Sequence, residues 1–221
     1  MMKTYSINQP IWPENPQQKS IFGNLAGSSA ALLIANAAKK SNRSLLIITP
    51  DTLTAQRLEA EIQFFGSDQQ DRVLNFPDWE TLPYDIFSPH QDIISARLKT
   101  LYQLPRLQQS ILITPITTLT HRLPPETYLE QLSFVLRVGE CIDPEKFRLR
   151  LQKAGYHCVQ QVFAHGEFSY RGSIIDIFPM GSTCPFRIDL LGNEVDSIRL
   201  FDPETQRSGE KISSIELLPA Y

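Results

Sequence analysis

The feature that most constrains the fold of this chain is a glycine-containing loop followed by a helix and an apolar strand. The loop spans residues 23–30 and leads into an alanine-rich stretch, Ala30–Lys40, and then into the apolar run Ser44–Pro50. This order of loop, helix and buried strand is typical of nucleotide-binding βαβ units. It predicts an α/β domain with a parallel sheet, similar to that of P-loop NTPases.

The loop lacks the residues with which a P-loop holds a nucleotide. A P-loop has the pattern G-x-x-x-x-G-K-[ST], in which the lysine contacts the β- and γ-phosphates and the hydroxyl residue binds magnesium. When Gly23 is taken as the first glycine of the pattern, the second glycine is expected at position 28, and Gly27 lies one residue before it. The second-glycine, lysine and hydroxyl positions are occupied by Ser28, Ser29 and Ala30. A helix N-terminus can still attract an anion, but these losses predict a non-functional nucleotide loop in a protein that binds rather than catalyses.

Composition narrows the class of protein further. The net charge of −3 over 221 residues argues against a general attraction to nucleic acid or to anionic membranes. The three cysteines, Cys141, Cys158 and Cys184, are far apart and form no C-x-x-C pair, which predicts reduced thiols and no zinc site. The chain shows no apolar leader and no apolar run near the roughly 20 residues that span a bilayer. We expect a cytoplasmic protein without membrane contact.

The spacing of apolar residues predicts alternating helices and strands up to about Pro124. A helix is predicted from Asp51 or Thr52 to a stop at Gly66, a second helix at about Asp92–Leu104, and an apolar strand at 110–114. The first 20 or so residues are rich in Pro, Gln and Asn and predict an irregular lead-in.

The pattern changes after Pro124. Asp143 and Pro144 predict the start of a helix that Gly155 closes. Short strands are then predicted at 158–163, 173–178, 185–191 and 194–201, with Gly192-Asn193 as a type II′ hairpin turn. This indicates a smaller α+β domain with an antiparallel sheet. The end of the chain, Leu217–Tyr221, has no helix stop or polar tail, from which we expect a truncated chain.

No pattern indicates a catalytic or metal site. The four histidines have no H-x-x-x-H spacing, and the spacing of the carboxylates does not force them to converge. Two arginines are more informative: Arg171 lies between two predicted strands, and Arg187 shares a strand face with Asp189 and Leu191. Arginine beside an exposed aliphatic residue is typical of protein interfaces. The alternative is an ordinary surface salt bridge to Asp189 or Glu167.

Several longer motifs resemble a known family. The chain closely resembles the amino-terminal region of the bacterial transcription-repair coupling factors (Mfd), from about Gly23 to its end. The motifs that carry the resemblance are DWETLPYD at 78–85, SPHQDIIS at 88–95, HGEF at 165–168, Arg171-Gly172, Asp176, FPMG at 178–181, and Phe201-Asp202.

The resemblance implies a module similar to the first part of the excision-repair protein UvrB. That module would comprise a degenerate helicase-like domain at residues 1–124, an inserted α+β domain at 125–214, and the start of a return segment at 215–221. UvrB has an intact P-loop at the position where Ser28, Ser29 and Ala30 depart from the pattern here. It also has an aromatic DNA-gripping hairpin after the position of Phe87, for which this chain has no room. The resemblance therefore implies neither ATP hydrolysis nor damage verification.

The inserted domain of both relatives binds the damage-recognition protein UvrA. In the coupling factors the contact uses two arginines, which match Arg171 and Arg187, and an aromatic residue, whose position is Leu191 here. The resemblance also implies that a far C-terminal domain masks this surface, and that RNA polymerase and double-stranded DNA bind to regions absent from this chain. The alternatives are a divergent nucleotide hydrolase and a DNA-binding helicase-like module.

Overall fold

The computed structural model describes residues 17, 19–66, 72–81, 86 and 88–220. The chain divides into two compact units. The first unit comprises Met1–Asp78 and Leu104–His121, and the second comprises Trp79–Gln103 and Arg122–Tyr221. The predicted irregular lead-in falls largely on residues outside the described ranges.

A three-stranded parallel sheet forms the centre of the first unit. Its strands are β1 (Leu45–Thr49), β2 (Val73–Asn75) and β3 (Ile111–Pro115), in the order β1-β3-β2. Both β1 and β2 run parallel to the central β3. The mixed α/β class predicted from the sequence is confirmed, and the helicase-like character of this unit stays a prediction.

Two helices pack on this sheet, and their ends follow from local chemistry. Helix α1 (Ser29–Lys40) buries mainly alanines and has two lysines in its last turn, where positive charge stabilises the helix dipole. Helix α2 (Thr52–Phe65) begins where the Asp51 carboxylate accepts a hydrogen bond from the Thr54 backbone N–H at 2.7 Å. It ends at Gly66, so both predicted limits of this helix are confirmed.

The parallel sheet exposes aliphatic side chains on its edge strand β1. One face contributes to a core cluster that comprises Ala31, Ala38, Ala55, Ile62, Val73, Ile111 and Ile113. Leu46 and Ile48 alternate with the core-facing positions of β1 and are half-exposed on the opposite face. On that same face Leu74 of β2 and Thr114 of β3 are buried, so the exposed aliphatic groups are confined to β1.

The second unit contains a six-stranded sheet and a separate pair of strands. The six-stranded sheet has the order β10-β9-β8-β7-β6-β5 and is antiparallel except for the β5–β6 pair. Its strands are β5 (His157–Cys158), β6 (Glu167–Arg171), β7 (Ile174–Ile177), β8 (Phe186–Leu191), β9 (Glu194–Phe201) and β10 (Ser208–Ile212). The separate pair is antiparallel and consists of β4 (Phe134–Arg137) and β11 (Ser214–Leu217).

Three helices accompany these strands: α3 (Gln91–Gln103), α4 (Glu126–Leu132) and α5 (Pro144–Lys153). Helix α5 starts as predicted, because the Asp143 carboxylate accepts hydrogen bonds from the backbone N–H groups of Glu145 and Lys146. Helix α3 places Leu98 in the core of the second unit. By contacts α3 therefore groups with the second unit, whereas the sequence-based division at 1–124, 125–214 and 215–221 places it in the first. That division stays a prediction.

One predicted strand is mostly wrong. Only His157–Cys158 of the region 157–163 is a strand. The backbone N–H groups of Phe163 and Ala164 instead donate to the Glu167 carboxylate at 2.8 and 2.9 Å. These two hydrogen bonds close a loop, so the next strand, β6, begins only at Glu167.

A buried tyrosine fastens the last residues of the second unit to its core. The Tyr156 hydroxyl donates to the Leu218 carbonyl at 2.7 Å and accepts from the Met180 N–H at 3.3 Å. Next to it, the Ala220 N–H donates to the Ala154 carbonyl at 2.7 Å. Burial raises the pKa of Tyr156 well above its ordinary value, so the hydroxyl keeps its proton and remains a donor.

We expect Tyr156→Phe to lower the free energy of unfolding by about 1–3 kcal/mol, because the Leu218 carbonyl and the Met180 N–H lose a buried partner. Urea unfolding measures this loss. Tyr170→Phe is the matched control, since the Tyr170 hydroxyl makes no hydrogen bond to the part of the chain that the structure describes. Equal losses in the two variants would contradict the prediction.

Candidate functional site

One face of the six-stranded sheet gathers the charged residues singled out in the sequence. Side chains alternate along each strand, and Ile175, Ile177 and Ile188 point into the core of the unit. The intervening positions of β6, β7 and β8 lie on the opposite face, in register with one another. We call this surface the arginine face; it comprises Arg171, Ile174, Asp176, Arg187, Asp189 and Leu191.

A buried carboxylate holds the two arginines together. The Asp176 side chain is 1% exposed and lies directly opposite Arg187 in the β7–β8 register. Arg187 binds it with two parallel hydrogen bonds, from Nε to Oδ1 at 2.7 Å and from Nη2 to Oδ2 at 2.9 Å. The Arg171 Nη2 donates to the same Oδ2 at 2.5 Å. One carboxylate thus forms ion pairs with two guanidinium groups, so this cluster of three side chains has a net charge of +1.

Arg187 is held from several sides. Its Nη1 donates to the Gln206 carbonyl at 3.2 Å, and its guanidinium carbon lies 5.1 Å from the centre of the Phe201 ring. The turn that carries Gln206 is ordered by Asp202, whose carboxylate accepts hydrogen bonds from two backbone N–H groups of that turn. The hydrogen bonds to Asp176 raise the pKa of Arg187. With only 17% of its side chain exposed, Arg187 is mainly an internal group.

Arg171 and Leu191 are the accessible members of the arginine face. The Arg171 side chain is 53% exposed and ends β6. Leu191 is 75% exposed and ends β8, next to the two-residue turn Gly192-Asn193. Gly192 has a φ of +65°, as the first turn position of a type II′ hairpin requires. The predicted hairpin is therefore confirmed, and it presents an apolar side chain to solvent.

The base of this hairpin is braced by a neighbouring segment. The Ile142 N–H donates to the Asn193 carbonyl at 2.7 Å, and the Val195 N–H donates to the Glu140 carbonyl at 2.9 Å. These hydrogen bonds fix the backbone on which Leu191 stands. An exposed leucine on a fixed backbone can enter an apolar pocket of a partner at a small cost in entropy.

The structure identifies the ion-pair partner of both arginines as Asp176, which the sequence analysis did not single out for this role. The alternative prediction, a surface salt bridge of these arginines to Asp189 or Glu167, is wrong, because both arginines donate their carboxylate hydrogen bonds to Asp176. Asp189 instead accepts from the Ser197 hydroxyl at 2.9 Å and lies 3.7 Å from Arg199 Nε. The available signal was an aspartate within the isoleucine-rich run of β7, where a buried acid needs a cationic partner. The binding roles of Arg171, Arg187 and Leu191 stay predictions.

The degenerate loop belongs to the first unit and precedes α1, as expected. Gly27 has a φ of +56° and Ser28 is the N-cap residue, although its side chain makes no capping hydrogen bond. The Ser29 hydroxyl and N–H both donate to the Ala26 carbonyl, at 2.6 and 3.2 Å. The hydroxyl at the former lysine position is thus directed to the backbone.

Within the ranges that the structure describes, no group of three or more His, Cys, Asp or Glu side chains could hold a metal ion. No helix among the described residues is long and apolar enough to cross a membrane.

Parts of known proteins are similar to this chain. Residues 134–221 match the family model of the UvrB interaction domain. The chain is 46% identical over 220 residues to the transcription-repair-coupling factor of Haemophilus influenzae, an alignment that covers 100% of this chain and 19% of the relative. Identity to the Escherichia coli factor is 44% over 209 residues, covering 95% of this chain and 18% of that protein. Identity to the Bacillus subtilis factor is 32% over 203 residues, covering 92% and 17%.

This chain therefore spans 17 to 19% of the length of these three relatives. The resemblance to the coupling factors and to their UvrB-like region, stated from the sequence, is confirmed.

The geometry predicts unequal stability effects for the two arginines. Arg187→Ala leaves the buried Oδ1 of Asp176 without its donor, and we expect a loss of about 3 kcal/mol in the free energy of unfolding. Arg171→Ala removes a half-exposed group from an oxygen that Arg187 still contacts, so its loss should stay below about 1 kcal/mol. Chemical denaturation of both variants measures the difference, and similar losses would contradict this assignment.

Proposed function

We propose that this chain is the UvrB-like module of a transcription-repair coupling factor and that it recruits UvrA to stalled transcription complexes for nucleotide excision repair. The match of residues 134–221 to the UvrB interaction domain carries this proposal. The arginine face lies within the matched residues, and it supplies a chemically suitable contact surface.

The arginine face suits a partner with an acidic group next to an apolar pocket. The Arg171–Asp176–Arg187 cluster has one positive charge more than it has negative charge, and Arg171 is its accessible member. A carboxylate of UvrA that binds Arg171 would supply the missing negative charge. Leu191, at the end of β8 on the same face, would enter the apolar pocket. Charge would then set the orientation and burial of the leucine would add affinity.

The first unit is proposed to be a degenerate helicase-like domain without ATPase activity. Its loop precedes a helix in the manner of a P-loop, but Ser29 and Ala30 offer neither an ammonium group nor a magnesium ligand. Residues 125–214, which belong to the second unit, would be the inserted UvrA-binding domain. RNA polymerase and double-stranded DNA would bind other parts of the whole protein, whose C-terminal domain would mask the arginine face until it is needed. The whole protein would act in the cytoplasm.

The first test is the affinity of this chain for UvrA. We expect Arg171→Ala to weaken binding by about 2 kcal/mol or more, roughly 30-fold in Kd, because the partner's carboxylate would be buried without its cation. Isothermal titration calorimetry with purified UvrA measures the change.

Arg148→Ala is the matched control for that titration. Arg148 is a partly exposed arginine on α5, a helix whose Phe147 and Leu151 pack into the core on the other side of the sheet. It should bind UvrA as the parent does. If Arg171→Ala also retained the affinity of the parent, the proposed contact would be wrong.

The second test addresses the nucleotide loop. A ligand at 100 times its Kd stabilises a protein by about 2.7 kcal/mol, so a working ATP site would raise the Tm visibly. We expect millimolar Mg-ATP to leave the melting curve of this chain unchanged, with magnesium chloride alone as the control. A rise in Tm that requires the nucleotide would favour the alternative of a divergent nucleotide-binding module.

A further inference from the structure

We propose that Asp176 is a positioning residue for partner binding: its carboxylate fixes the guanidinium groups of Arg171 and Arg187 before the partner arrives. This inference rests on the proposed function and deepens it. Asp176 itself would not touch the partner, because its side chain is 1% exposed beneath the two arginines that it binds.

The first argument is geometric. Arg171, Asp176 and Arg187 lie on three neighbouring strands, β6, β7 and β8. A carboxylate that accepts two parallel hydrogen bonds from one guanidinium fixes the plane of that guanidinium. Arg187 is fixed in this way, and Arg171 then meets the remaining side of Oδ2 at 2.5 Å.

The second argument concerns the freedom that the two side chains would otherwise have. Arginine has a long, flexible side chain, and ordering it on binding reduces affinity. Asp176 orders both arginines in the free protein, so part of this cost is met before the complex forms. Arg171 has one contact to Asp176 and is half-exposed, so it can still turn a free N–H edge toward a partner.

The third argument concerns the direction in which the affinity should change when Asp176 loses its charge. Removing the negative charge of Asp176 makes the arginine face more positive. If only net charge mattered, an acidic partner would then bind more tightly. If positioning matters, the same change loosens the guanidinium groups, because the amide keeps one acceptor oxygen and turns an NH2 donor toward the arginine N–H groups, and binding becomes weaker. The two accounts therefore predict opposite changes in Kd.

The variant for this experiment is Asp176→Asn, which keeps the size of the side chain and removes the charge. We expect its Kd for UvrA to rise by up to about tenfold, the amount that corresponds to ordering the Arg171 side chain on binding. Asp189→Asn is the matched control: it removes the same charge from the same face, and Asp189 contacts Ser197 and Arg199. The control should bind as tightly as the parent, or more tightly.

NMR spectroscopy of the parent chain tests the proposal even if the Asp176→Asn variant does not fold. The Arg187 Nε–H donates to a buried carboxylate, so its NMR signal should exchange slowly with water. Arg57, whose side chain is 71% exposed, should exchange fast and serves as the reference. In Asp176→Asn the Arg187 signal should move toward the behaviour of Arg57.

The outcomes separate the two proposals. If the parent binds UvrA and a folded Asp176→Asn variant binds equally well or better, the positioning role is wrong and the proposed function stands. If Asp176→Asn does not fold, fast exchange of Arg187 Nε–H in the parent overturns the positioning role and slow exchange supports it. If the parent does not bind UvrA, the proposed function is wrong and the positioning role falls with it.

Discussion

The arginine face depends on one buried negative charge. The Asp176 carboxylate has almost no contact with water, and an ionised group in that position is tolerated only when hydrogen bonds and opposite charge replace its hydration. Arg171 and Arg187 supply three hydrogen bonds from the strands on either side of β7. The same contacts therefore tie three strands together across the middle of the sheet and determine where two positive groups lie.

The two arginines of the face have different structural environments. Arg187 is enclosed by a carboxylate, a backbone carbonyl and an aromatic ring, whereas Arg171 has one ionic contact and faces solvent. Leu191 stands on a hairpin with a braced backbone. Under the proposed function, the enclosed arginine supports the surface, while the exposed arginine and the leucine contact the partner.

Local chemistry made parts of the fold predictable from the sequence. The cap residues Asp51 and Asp143 mark the starts of α2 and α5, and Gly192 marks the β8–β9 turn. The failures depend on contacts between distant residues. A strand is predicted at 158–163, but the Glu167 carboxylate accepts hydrogen bonds from the backbone at the end of this segment, which is a loop. The role of Asp176 was hidden for the same reason, because its partners lie 5 and 11 residues away and meet it only through strand register.

The exposed aliphatic residues of β1 have a practical consequence for work with this chain. Leu46 and Ile48 put aliphatic groups in water on a strand at the edge of its sheet. Sulfate and phosphate strengthen the burial of such groups because these ions are excluded from protein surfaces. Concentrated samples in those buffers should therefore self-associate sooner than samples in dilute chloride, and light scattering would register the onset as turbidity.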